Sequence, residues 1–243
     1  MPIPRCLRII YGVAYLDSRW IKRQPTWLLQ SILSYIGFAV LLYAWGGVEG
    51  LRNLVLAMII SGLWSTGVNI VSQSVGWYRV SHVQDMFIAS PVKPIHYIIG
   101  FFASAMIFPV TTILSILPIV YILNAWNMVL LSLAIGLLVL LSGIMIGLYI
   151  VMSVEKPVNV SAITNPVSWL LVILPPVYYP ASIIPEQLRL IALIPPTSAA
   201  SEIIRQLTGL GTSVPIWYPA TILCLWATIG VLLVSKTMKW GLR

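Results

Sequence analysis

Two acid–arginine pairs have the residue types and spacing to do electrostatic work: Glu186 with Arg189, and Glu202 with Arg205. Three residues apart, each pair falls on one helix face within reach of an ion pair. Covalent chemistry has little to draw on. No GxxxxGK(S/T) phosphate loop is present, which excludes ATP hydrolysis by that route. No GxSG-type serine pattern and no HExxH occurs. His82 and His96 stand far apart with no acidic cluster near them, as ordinary interfacial histidines do. Cys6 and Cys224 are too distant in the topology read below for a disulfide, and no metal role is expected for either. Catalytic, cofactor and metal residues are therefore expected to be none.

The elements that hold these residues are apolar. Of 243 residues 59% are hydrophobic and 8% charged, against about 25% charged in a soluble domain. The apolar residues come in runs of span length, so the chain reads as one all-α polytopic membrane domain, residues 1–243. The net charge of +8 does not indicate nucleic acid, because the cations sit beside spans where lipid orientation accounts for them. The first 23 residues lack a long apolar core, so no cleavable signal is expected.

Residues 5–23 read as an amphipathic helix with an approximate stripe of Leu7, Ile10, Tyr11, Ala14 and Ile21 and with five cations. A plain positive flank for the first span fits equally well. Trp27–Trp45 is the first predicted span, 46–52 a loop, and Asn53–Val75 the second span. The second carries Asn53, Ser61, Ser65, Thr66, Asn69, Ser72 and Ser74, which call for helix partners or a polar path. From Gly76 to Pro94, apolar Val80, Val83 and Phe87 recur at helical spacing, with Ser81, Gln84 and Asp85 between them. That is a short amphipathic helix held between two spans. It is either a handle that moves both or a helix resting on lipid.

The third predicted span, Ile95 to about Tyr121, contains Pro109 and Pro118, which should kink it. The fourth, Met128–Met152, contains Gly143 and Gly147 in a GxxxG pattern. Val160–Leu174 is short for a crossing, and Asn165–Pro166 should interrupt its start. Residues 175–213 hold Pro175, Pro176 and Pro180, then two short helices starting near Pro185 and Thr197, the second with Ala200, Ile203, Ile204 and Leu207 on one side. They fit a hairpin that dips part way into the membrane. The last span is about Val214–Ser235.

Six spans put both termini on one side. Arg5, Arg8, Arg19, Lys22, Arg23, Arg79, Lys93, Lys156, Lys236, Lys239 and Arg243 fall there. Only Arg52, Arg189 and Arg205 fall on the other. The positive-inside rule places the termini and the 76–94 loop in the cytosol and the proline-rich hairpin outside. Asn159-Val160-Ser161 matches a glycosylation acceptor but lies on the cytosolic side. No predicted span carries a charge near its middle, where proton- and voltage-driven machines need one. The chain reads as a path without its own motor.

From Pro176-Val177-Tyr178-Tyr179-Pro180 through Glu186, Arg189, Pro195-Pro196 and Glu202 to Arg205, the chain resembles the type-2 permeases of ATP-binding-cassette (ABC) exporters. Asp85–Val92 is similar to the exit of their coupling helix, ending Ser90-Pro91-Val92. The approach, Trp77 to His82, departs from the Glu/Arg-rich, Gly-containing approach common in that family. The resemblance covers almost the whole chain and implies an N-terminal elbow helix (1–25), six spans, a coupling-helix loop (76–94) and a re-entrant hairpin (175–213). It implies two cytosolic ABC ATPase subunits as partners, with ATP and Mg held there and no cofactor on this chain. A second copy or a homologous permease completes the pathway in the plasma membrane. By the same resemblance Val80, Val83, Gln84, Asp85, Phe87 and Ile88 would couple to the ATPase. Tyr178, Tyr179, Glu186, Arg189, Glu202 and Arg205 would shape an outer gate, and Trp64, Ser65 and Asn69 would line the path with Tyr178. The cargo would be apolar or amphipathic: drug, lipid, lipid-linked glycan or peptide. An ATP-independent secondary carrier or channel stays open as the alternative. No catalytic constellation supports a membrane enzyme.

Overall fold

The computed structural model describes residues 4–19 and 25–237, and every regular element among them is helical. Helix α1 spans Arg5–Ser18. Val13 and Asp17 are its buried side chains, turned toward the bundle, while Leu7 and Tyr11 of the predicted apolar stripe lie on the exposed side. Gly100 on α5 (Pro94–Ala105) is the reason. A Cβ there would stand 2.6 Å from the Val13 side chain, so only glycine lets α1 lie this close. The outer side of α1 stacks Tyr11 on Tyr15 and places Arg19 over the Tyr15 ring, a face suited to lipid headgroups. Ile21, Lys22 and Arg23 lie outside the described residues.

Helix α2 runs Pro25–Ser65 and is broken at Gly47, with φ 56° and ψ −135°. That backbone is open to glycine and strained for other residues. The chain reverses there, in one residue rather than over a 46–52 loop. The Leu42 backbone lies against Gly50, and Tyr35 and Gly62 both approach Thr112, so the two limbs run antiparallel. Residues 54–60 of the second limb are all buried. An unbroken apolar surface of this kind belongs at the centre of a bundle.

The second limb passes through a π-helical turn, Thr66–Val71, into α3, Ser72–Val80. The turn sits where the chain crosses α7 (Trp126–Ser153). A Cβ on Gly67 would lie 2.7 Å from the Ile144 nitrogen and 2.8 Å from the Gly143 carbonyl carbon; one on Gly147 would lie 2.8 Å from the Gly67 oxygen. The GxxxG pattern thus admits a third glycine. Ser72 Oγ donates to the Val68 carbonyl, with the Asn69 carbonyl as the alternative acceptor, and closes the turn.

His82, in the left-handed conformation, makes the corner between α3 and α4 (Val83–Ala89). The third apolar stretch divides at Met106 into α5 and α6 (Ile107–Ile122). Pro109 explains the position: its ring opposes the carbonyl four residues back, at Ala105. Pro118 remains inside α6, and α8 (Val160–Ile173) runs through Asn165–Pro166 where an interruption was expected. Its 14 residues rise about 21 Å, short of a hydrocarbon core of about 30 Å. Helices α9 (Glu186–Ala192) and α10 (Pro196–Thr208) follow, then α11 (Trp217–Thr237). Ala200, Ile203 and Ile204 are buried on α10, while Leu207, its next-to-last residue, is exposed.

By length and composition, four helical stretches among the described residues are fit to cross a membrane: Ile32–Val80, Pro94–Ile122, Trp126–Ser153 and Trp217–Lys236. The first contains the reversal at Gly47.

Candidate functional site

A cavity of ≈ 400 Å³ opens between the two limbs of α2, with α6 and α8 at its sides and Tyr178 at one end. Among the described residues its walls carry no charge. They combine hydroxyls, on Ser34, Tyr35, Ser61, Ser65, Thr66, Thr112 and Ser168, with the rings of Phe38, Phe108, Trp169 and Tyr178. Several hydroxyls already have partners: Tyr35 and Thr112 share a 3.1 Å bond, Tyr178 donates to Ser61 at 3.2 Å, and Thr66 donates to the Gly62 carbonyl at 2.7 Å. Phe38 stacks on Tyr178 with centroids 5.1 Å apart. Such walls suit an uncharged body with apolar faces and a few polar atoms, and the volume lies in the range of small-molecule sites.

Of the predicted pathway residues, Ser65 and Tyr178 line this cavity. Trp64 does not: it is fully buried, packed on Gly143, and its Nε1–H has no hydrogen-bond partner among the described residues. Asn69 stands on the π turn with its Oδ1 buried and without a hydrogen-bond partner among the described residues, outside the described cavity lining. Sequence reading missed the first limb's share of the wall. The signal was present as a helical-spaced run of Gln30, Ser34, Tyr35 and Phe38 inside an uncharged span.

At the other end of α3, four aromatic rings interlock. Phe87 of α4 meets Tyr97 edge-on at 5.5 Å and Tyr78 at 6.0 Å. Phe101 in turn meets Tyr97 at 4.7 Å and Tyr78 at 6.0 Å. Such pairs contribute about 0.5–1.5 kcal/mol each beyond burial. The cluster ties α4 to both helices that flank it. Val83, Gln84 and Ile88 are half-buried, Val80 and Asp85 exposed. Asp85 Oδ2 lies 2.9 Å from His82 Nδ1, which braces the corner.

Asp17 was also missed. Its carboxylate accepts hydrogen bonds from Ser104 at 2.6 Å and Tyr78 at 3.3 Å, with only 3% of the residue exposed. Burial pushes this carboxyl above the usual range, and the hydroxyl donors oppose that. A lone acid among five cations in the first 23 residues was the available sign.

Around the hairpin, Glu202 and Arg205 are buried and 3.9 Å apart. Arg205 donates from Nε to Asn53 Oδ1 at 2.8 Å, and from its terminal nitrogens to the carbonyls of Pro176 and Val177. Glu202 Oε1 accepts from the backbone and side chain of Ser213 and from Gln206. Burial pulls the Arg205 guanidinium down to about 10, which leaves it cationic at neutral pH. Together the pair fastens α10, the 175–180 segment and the second limb of α2. Arg189 is a correction: it bonds to the carbonyls of Ile184 and Ser182, closing its own turn instead of pairing with Glu186. Tyr179 Oη donates to the Leu174 carbonyl at 2.9 Å.

Long apolar helices around an uncharged cavity define a multi-pass membrane protein with room for a small molecule. Residues 42–236 match the family model described as ABC-2 family transporter protein, and the chain belongs to that family. It is thus a permease subunit of an ABC transporter, of the kind that works with an ABC ATPase subunit. A search of curated proteins finds no match to the chain.

Proposed function

We propose that this permease moves an apolar or amphipathic cargo outward across the plasma membrane, driven by two separate cytosolic ATPase subunits that hold ATP and Mg. In this reading, residues 1–243 form one membrane domain with six crossings, because the Gly47 reversal gives two and the short α8 supplies the fifth. Both termini lie in the cytosol, α1 is the elbow, α4 the coupling helix, and 175–213 the re-entrant hairpin at the outer gate. Two copies, or one with a homologous permease, close the half-open cavity, and the hydroxyl and aromatic walls favour a neutral cargo. Val80, Val83, Gln84, Asp85 and Ile88 meet the ATPase, while Phe87 transmits its motion.

The observation that carries this reading is the seating of Phe87 among rings from α3 and α5. Displacing α4 must displace the ends of both long helices. Spin labels at Ser34 and Met86, both exposed, in a background with Cys6 and Cys224 replaced by Ser, read this directly. A non-hydrolysable ATP analogue added to the chain with its ATPase partner is expected to shift the label separation. Phe87→Ala should cut the shifted-to-unshifted ratio about tenfold, the worth of two ring pairs, with hydrolysis by the partner retained. An unchanged shift removes Phe87 from the coupling path. If no stoichiometric ATPase copurifies in mild detergent and the chain alone moves solutes without nucleotide, the carrier or channel reading replaces this one.

A further inference from the structure

We infer that Asp17 is a positioning residue for coupling, which makes α1 part of the transmission and not only a lipid anchor. The inference rests on the reading of α4 as the coupling helix. Asp17 lies where α1, α3 and α5 meet, and its two oxygens are bonded to different helices. Oδ1 accepts from Tyr78 of α3, and Oδ2 accepts from Ser104 of α5. The Tyr78 ring touches both Phe87 and Phe101. Its hydroxyl is therefore the tether for the ring against which the coupling helix is seated. The close fit of Val13 on Gly100, one turn from Asp17, fixes α1 to α5 independently. A force on Phe87 thus meets a ring braced by α1, whose outer face carries Tyr11, Tyr15 and Arg19. A carboxylate this buried is costly unless bonded, and packing alone would be met by an apolar side chain. Ser104 also stands 2.9 Å from the Phe101 carbonyl, and its single proton serves one acceptor at a time. Asparagine at 17 would keep an acceptor for Tyr78 and offer Ser104 a donor, so Asp17→Asn conserves the network.

The test uses the full chain with its ATPase partner, the same label pair and the same ATP analogue. Asp17→Ala should lower the shifted-to-unshifted ratio about tenfold, the scale of lost bonds to a charged group. Asp17→Asn should stay within about twofold of wild type, because it conserves the network. Tyr78→Phe, which keeps every ring contact and loses only the tether, should fall between them. A merely structural Asp17 would lower the melting temperature and leave the shift intact in complexes that survive. If Asp17→Ala does not assemble, Tyr78→Phe decides. A wild-type shift in Tyr78→Phe, or in an assembled Asp17→Ala, overturns this inference alone. A wild-type complex that shows no nucleotide shift overturns the coupling reading and this inference with it.

Discussion

Arg205→Ala is expected to cost about 3–5 kcal/mol, the penalty for removing one partner of a buried pair. In a chain of this size that lowers the melting temperature in mild detergent by about 10 °C or more. The loss does not come mainly from the ion pair, whose atoms are 3.9 Å apart. It comes from what stays behind: a buried Glu202 without its counter-charge, and the Asn53 amide oxygen and two carbonyls, at Pro176 and Val177, without their donor. Arg205→Lys should recover little, because an ammonium cannot present a planar fork to three acceptors on two segments. Glu202→Gln should cost less than Arg205→Ala, since an amide oxygen still accepts from Ser213. A melting temperature unchanged in Arg205→Ala would mean that water enters and takes over these bonds.

Gly67→Ile is the second large expected effect. The atoms that a Cβ would strike are backbone, the Gly143 carbonyl carbon and the Ile144 nitrogen, so no side chain can rotate out of the way. Overpacking of this kind costs about 1–3 kcal/mol, and rigid obstacles put Gly67→Ile at the upper end. The same crossing joins the cavity wall at Thr66 and Ile70 to α3 and the Phe87 cluster. The nucleotide-driven shift should therefore fall together with the melting temperature. Gly143→Ala should be milder, because its nearest obstacle, the Trp64 carbonyl oxygen, is 3.1 Å away. If both variants melt like wild type, the helices do not cross as closely as this.

Helical class, the Val83–Ala89 helix and the paired short helices before the last span were legible because they follow from apolar period and proline position. Glycines and prolines were harder to place. Gly46 to Arg52 reads as a loop by composition, yet one glycine with positive φ turns the chain and leaves its neighbours helical. Pro109 breaks the third stretch three residues early, at Met106, whereas Pro118 and Pro166 are carried inside helices. A proline's cost depends on whether the carbonyl it opposes can bend away, and sequence does not state that. Trp64 and Ser65 are neighbours of similar promise in the sequence, but one faces α7 and the other the cavity. Asp17 and Arg205 show the same limit. Both are charged residues whose partners, Ser104 and Asn53, lie 87 and 152 positions away.

The π turn at Thr66–Val71 also carries a geometric consequence. An i→i+5 turn accommodates one residue more than an α turn, and one residue is about 100° of rotation. The two ends of this long helix are thus out of phase by roughly that angle. Met58, Ser61 and Ser65 keep one bearing toward the cavity. Val75, Tyr78 and Arg79 take up another, and a helical wheel drawn straight through the span points them to the wrong neighbours. The helix works as two compasses with different norths on one axis. One is set by the cavity and the other by the rings that hold Phe87.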